Sequence, residues 1–167
     1  MHCKGIVHRD LKSENILIAS DGRLVLMDFS CSNIIKEKYI KDLKEFKDVD
    51  DNSEYQLEQS ELLESIKGTI LWMSPEVINQ KKYGRKVDIW SFGCTLIEII
   101  TGKNPWNNLI IDNFLQALYQ IGNTNSVPEC PMNISYNLKN FLGCCLKRSY
   151  TERSSVKDLL NHSFLNE

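Results

Sequence analysis

An excess of basic charge is missing from this sequence of 167 residues: 20 Lys and Arg stand against 22 Asp and Glu, a net charge of −2. Proteins dedicated to nucleic acid or to anionic membranes usually carry surplus cations to neutralise phosphates, so neither partner is expected. Cysteines are present without pairing signals. Cys3, Cys31, Cys94, Cys130, Cys144 and Cys145 make no C-x-x-C spacing, and adjacent Cys144 and Cys145 are a poor start for a disulfide framework. Reduced thiols and no metal site among cysteines and histidines are expected. Long apolar runs are also lacking. The start, Met1-His2-Cys3-Lys4-Gly5, has no apolar signal-peptide core, and the most apolar stretch, 87–100, contains Asp88 and Glu98. The expected location is therefore the cytoplasm, with the nucleus as a second possibility. Only 4 prolines and 8 glycines occur, with no internal repeat, which excludes collagen-like and low-complexity architectures. The 42% of hydrophobic residues is enough for one domain with a core.

Two short β-type runs, Ile16-Leu17-Ile18-Ala19 and Leu24-Val25-Leu26-Met27, flank Ser20-Asp21-Gly22-Arg23 with its Asp-Gly turn signal, which predicts a small hairpin. Between 36 and 64 five lysines face ten acidic residues, a local net charge of −5. Ordering such a segment costs roughly 1 to 2 kcal/mol per residue and its few apolar side chains offset little of that, so 33–67 is expected to be an acidic mobile insertion. Residues 87–101 are apolar nearly all round, which predicts a helix buried on every side, and Gly102 is placed to cap it. Further helices fit 111–122, 136–147 and 155–162. The last opens with Ser155 and carries Asp158 three positions on, a capping-box pattern. The fold class expected is mainly α, a helical body hung on one central helix with a small β-hairpin near its N-terminus.

The chemistry-bearing residues flank that hairpin. His8-Arg9-Asp10-Leu11-Lys12-Ser13-Glu14-Asn15 precedes it and Asp28-Phe29-Ser30 follows it. A tight hairpin sets the two loops side by side, so Asp10, Asn15 and Asp28 can converge on one point. Phosphoryl transfer needs such a convergence: a carboxylate to orient and accept the proton of the attacking hydroxyl, and an amide oxygen with a second carboxylate to hold Mg²⁺ on nucleotide phosphates. Asp10 suits the first role, Asn15 and Asp28 the second. Lys12 can set positive charge on the transferring phosphoryl group. The bland alternative is three turn-forming polar residues capping strands.

These two loops resemble the catalytic loop and magnesium loop of the eukaryotic protein kinases. Further matches follow in the family's order along the whole chain. Gly68-Thr69-Ile70-Leu71-Trp72-Met73-Ser74-Pro75-Glu76 resembles the close of the activation segment, with Ser-Pro-Glu for A-P-E. Asp88-Ile89-Trp90-Ser91-Phe92-Gly93 resembles the start of the central helix, and Arg153 falls where a late arginine pairs with the glutamate, here Glu76. The resemblance implies that 1–167 is a partial kinase domain, the C-terminal lobe, with no Gly-rich loop, strand lysine or helix glutamate of an N-terminal lobe. ATP and Mg²⁺ are the implied cofactors and protein Ser/Thr hydroxyls the substrates; Lys12 and Thr69 imply that specificity, because Thr69's counterpart bonds the catalytic Asp and Lys. Residues 72–78 look most like kinases at the upper tiers of mitogen-activated cascades, the STE-like group. By the same resemblance Leu17, a core residue by default, packs beneath the adenine ring. His8 and Phe29 join an internal stack, and Asp88, otherwise a plain helix N-cap, ties down the catalytic-loop backbone. Arg9 implies regulation by phosphorylation, by an upstream kinase or by autophosphorylation, with Ser65 the candidate site and Ser60 second. Ser30 stands where the family has glycine, and is expected to pay roughly 1 kcal/mol for a left-handed backbone. The alternative reading is a non-catalytic, pseudokinase-like scaffold that docks partners around Trp106 to Tyr119.

Overall fold

A computed structural model of the chain describes residues 1–34, 69–107, 109 and 113–166. Nearly all of the acidic segment 33–67, with Ser60 and Ser65, lies outside the described residues. Four short strands and five helices, joined by single 3₁₀ turns, make up the rest. Strand β1 (Ile6–Val7) pairs antiparallel with β4 (Asn33–Ile34), a ladder that the sequence did not signal. Strands β2 (Ile16–Ile18) and β3 (Leu24–Leu26) form the expected hairpin, with Ile16 opposite Leu26 and Ile18 opposite Leu24. Its turn closes where the Asp-Gly signal lies, through a bond from the Gly22 N–H to the Ala19 carbonyl at 2.9 Å.

The helices are α1 (Pro75–Ile78), α2 (Lys86–Thr101), α3 (Phe114–Asn123), α4 (Tyr136–Cys145) and α5 (Val156–Leu160). Helix α2 is the axle of the lobe. Trp90, Cys94 and Ile97 are wholly buried, and α4 packs along it. Gly93 allows that approach: a Cβ there would lie 2.9 Å from Cys145 Cβ and 3.0 Å from Leu146. The apolar circumference does not mean burial to the end. The last turn leaves Ile99 59% exposed, and the helix stops at Gly102, whose φ of 66° is the left-handed cap that glycine adopts without strain. Trp106 is buried against the segment before α1, its indole N–H donating to the Leu71 carbonyl at 2.9 Å. It therefore cannot belong to an exposed docking surface; Leu115 and Tyr119 on α3 remain exposed.

Two side-chain devices hold the lower half together. Arg153, buried, forks onto Glu76 with bonds of 2.6 and 3.0 Å, donates to the Lys86 and Lys147 carbonyls, and lies over the Trp90 ring. One guanidinium thereby joins α1, the start of α2 and the loop before α5. Arg148 donates to the Ile121, Gly122 and Ser126 carbonyls and so satisfies the C-terminal end of α3.

The capping box at α5 is complete: the Ser155 hydroxyl accepts from the Asp158 N–H at 3.2 Å, and the Asp158 carboxylate accepts from the Ser155 N–H at 2.8 Å. The Ser155 N–H and hydroxyl hold the Asp158 carboxyl below its ordinary 3.8, so its contribution is complete above that value and is lost as pH falls through the lowered one. Ser155→Ala is expected to cost about 1 kcal/mol in urea unfolding at neutral pH, and the difference from wild type should narrow in acid.

None of the six cysteines, all among the described residues, is joined in a disulfide. Burial raises the Cys94 thiol far above its ordinary range and pushes Cys145 up to about 12, whereas Cys3 is exposed. Brief alkylation of the native protein followed by mass spectrometry should therefore label Cys3 and leave Cys94 and Cys145 intact until denaturant is added.

Candidate active site

The loop from His8 to Asn15 is pinned from below by α2. Asp88, in its first turn, is buried and accepts from the His8 and Arg9 N–H groups at 2.9 and 2.8 Å, and its Oδ2 also meets His2 Nε2 at 2.7 Å. Asp88 thus ties the loop backbone and is not the helix N-cap, a position that Arg85 holds. Arg9 has a φ of 68°, a costly conformation for a branched-free but bulky residue. Its backbone bond to Asp88, the Nε bond to the Cys31 carbonyl and a 3.1 Å bond from Nη1 to the Tyr83 hydroxyl hold it there. Two further ties come from α2: the Thr95 hydroxyl donates to the Leu11 carbonyl at 3.3 Å, and Glu98 Oε2 accepts from the Ser13 N–H at 3.3 Å.

Within the loop the polar side chains meet. Asn15 Nδ2 donates to the Asp10 carbonyl at 2.8 Å and to Asp10 Oδ2 at 3.0 Å. Both partners are acceptors, so the amide orientation is fixed by chemistry, and Asn15 Oδ1 accepts from none of the described residues. Lys12 Nζ lies 3.7 Å from Asp10 Oδ2, donates to Thr69 Oγ1 at 3.2 Å and pairs with Glu14 at 3.3 Å. Lys12 therefore bridges the loop to the segment that leads into α1.

The hairpin delivers the second loop. The Met27 N–H donates to the Asn15 carbonyl at 2.9 Å, extending the β2–β3 ladder by one rung, and Asp28 is the next residue. His8 makes a second bridge. Its Nδ1 accepts from the Asp10 N–H at 3.3 Å, so the proton sits on Nε2, which donates to the Met27 carbonyl at 2.9 Å. The ring is wholly buried with the Phe29 ring tilted 59° against it at 4.8 Å between centroids, though Phe29 itself is 45% exposed.

Asp28 takes the left-handed φ of 55°, which short polar side chains tolerate, and Ser30 does not have a positive φ. The expected strain at Ser30 is therefore absent; the unusual backbone lies two residues earlier. The Ser30 hydroxyl and N–H, donating to Asp28 Oδ1 at 2.5 and 3.2 Å, hold the Asp28 carboxyl below its ordinary 3.8, with smaller help from the Lys12 ammonium.

Asp10, Lys12, Asn15 and Thr69 form one bonded set, with Asp28 beside it across the hairpin. Leu17 is 46% exposed on β2, which overturns the default reading of a core residue and leaves it available as a platform. No group of three His, Cys, Asp or Glu suited to a metal occurs among the described residues. Mg²⁺ does not require one: it takes one or two protein oxygens and completes its shell with water and phosphate. Asn15 Oδ1 and Asp28 Oδ2, neither with a described partner, are hard oxygen donors that fit that demand.

Sequence reasoning missed Glu98. Its Oε2 also accepts from the Trp72 indole at 3.0 Å, so one carboxylate joins the Asp10 loop to the segment before α1. The available signal was a lone acid near the end of an otherwise apolar helix.

The protein kinase domain family matches residues 1–165. The mitogen-activated protein kinase kinase kinase A of Dictyostelium discoideum is 36% identical over 165 residues, covering 99% of this chain and 15% of that protein. The serine/threonine-protein kinase PAK 1 of Mus musculus is 40% identical over 168 residues, 99% of this chain and 26% of its own length. The mitogen-activated protein kinase kinase kinase 18 of Arabidopsis thaliana is 33% identical over 162 residues, 97% of this chain and 41% of its own length. The chain thus spans well under half of each relative.

Proposed function

The chain belongs to the protein kinase family, and on that premise we propose that it is the C-terminal lobe of a serine/threonine kinase that moves the γ-phosphoryl group of ATP onto protein hydroxyls. The observation that carries this reading is the bonded set of Asp10, Asn15, Lys12 and Thr69 with Asp28 next to it. Asp10 is the base: its carboxylate, steadied by Asn15, orients the substrate hydroxyl and accepts its proton. Lys12, anchored on Thr69, presents its ammonium to the phosphoryl group in flight. Asn15 Oδ1 and Asp28 Oδ2 would hold Mg²⁺, which when bound would neutralise charge on the nucleotide phosphates. Leu17 supports the adenine ring. The hairpin residues Ile18 and Leu24, 75% and 72% exposed, are an apolar surface consistent with a nucleotide pocket completed by further protein.

The substrate is a protein Ser or Thr, in a signalling cascade of the kind the relatives' names describe. Regulation by phosphorylation at Ser65 belongs to the same proposal. No helix among the described residues is long and apolar enough to cross a membrane. A second reading, a docking module without catalysis, is favoured by Leu115 and Tyr119, exposed together on α3.

The test is phosphotransfer by the complete protein that contains this chain. Label from γ-labelled ATP should appear on Ser and Thr in phospho-amino-acid analysis. Nucleotide binding without transfer would favour the docking reading, and label on Tyr alone would contradict the specificity.

A further inference from the structure

Asp28 is held by the residue two positions further along the chain. Residue 30 offers two donors, and both converge on one carboxylate oxygen: the N–H at 3.2 Å and the hydroxyl at 2.5 Å reach Asp28 Oδ1, while Oδ2 accepts from none of the described residues. Glycine at this position would offer the N–H alone. The hydroxyl bond, short and charge-assisted, is the stronger of the two. With both lone pairs of Oδ1 engaged the carboxylate cannot turn freely, and it cannot grasp a cation with both oxygens. Ser30 pays no backbone strain for this, since the left-handed conformation lies at Asp28. The hydroxyl is therefore free to act as a support and not as a compensation.

We propose that Ser30 is a positioning residue that engages Asp28 Oδ1 and leaves Oδ2 as the single oxygen offered to a divalent cation. The proposal rests on the reading of Asp28 as a metal ligand. One carboxylate oxygen suits the octahedral shell of Mg²⁺ or Mn²⁺, which takes its ligands one oxygen at a time, whereas Ca²⁺ gains from a two-oxygen grip. Hydrogen bonds to a ligating carboxylate typically control metal affinity by 10- to 100-fold, so the effect of losing the hydroxyl is expected to be about tenfold.

The test is Mn²⁺ binding to the full chain, read from the loss of the free-ion signal in electron paramagnetic resonance, with Mg²⁺ and Ca²⁺ as competitors. Ser30→Ala should weaken Mn²⁺ about tenfold and improve the standing of Ca²⁺ relative to Mg²⁺. Ser30→Thr, which keeps the hydroxyl, should restore wild-type binding. Asp28→Asn separates this inference from the one beneath it. If Asp28→Asn weakens Mn²⁺ while Ser30→Ala binds as wild type, or if Ser30→Thr fails to restore binding, Ser30 has no positioning role and the metal reading of Asp28 stands. If Asp28→Asn itself binds Mn²⁺ as wild type, the ligand assignment falls and this inference falls with it.

Discussion

Asp10→Asn is expected to lower phosphoryl transfer by the complete protein by about 10²- to 10⁴-fold, the range typical for loss of a positioned general base. The amide is nearly the same size, so the loop should keep its shape. Asn15 Nδ2 retains the Asp10 carbonyl as a partner at 2.8 Å, and the N–H of residue 10 still reaches His8 Nδ1. The loss should therefore fall on the chemical step, with the KM for ATP nearly unchanged and the unfolding midpoint within a degree or two of wild type. Lys12→Ala makes a useful contrast, since it removes the bridge to Thr69 as well as a charge and should disturb both substrate binding and turnover. A wild-type rate in Asp10→Asn would show that the proton is taken elsewhere.

The largest effect on stability is expected at the other end of the lobe. Glu76→Ala leaves Arg153 buried with its charge uncompensated, and such a break typically costs about 3–5 kcal/mol. Both partners are nearly inaccessible to water, and Arg153 also serves the Lys86 and Lys147 carbonyls. Arg153→Met should cost a similar amount, because those carbonyls and Glu76 then lose their donor. The double replacement Glu76→Leu with Arg153→Met should be clearly less harmful than the sum of the two single losses, since no lone charge is left inside. Urea unfolding followed by tryptophan fluorescence reads all three, with Trp90 beneath the guanidinium as a local reporter. Additive losses would mean that the two side chains act independently.

What could be read from the sequence was what is encoded locally. The Asp21-Gly22 turn, the Gly102 cap and the Ser155–Asp158 box each lie within a few residues, and their side chains dictate their own backbone. The helix limits shifted by up to three positions, as in α3, which starts at Phe114 where the Asn113 side chain accepts from the Gln116 N–H. The acids and amide of the site were legible because they sit at fixed spacings on either side of one hairpin. Their supports were not. Glu98 finds Ser13 and Trp72 at separations of 85 and 26 residues, and Arg148 finds the end of α3 across a loop; a lone acid in an apolar helix marks the first without naming its partners, and nothing in the local pattern marks the second. The β1–β4 ladder has two residues on each side and too little periodicity to detect. The expected strain at Ser30 came from transferring a glycine's conformation to a different residue, whereas here the left-handed step is carried by Asp28.

The central claim is that the loop carrying Asp10, Lys12 and Asn15 and the loop carrying Asp28 serve one metal-bound nucleotide. It is tested most directly by nuclear magnetic resonance of the complete protein, isotopically labelled, during titration with Mn²⁺ and ATP, whose paramagnetic broadening falls off steeply with distance. The Asn15 side-chain amide and the backbone signals of Asp10, Lys12 and Asp28 should broaden together at the lowest additions, while Asp158 in α5 stays sharp. Broadening that reaches Asp28 but spares Asn15, or that spreads over exposed acids without favouring either loop, would contradict it.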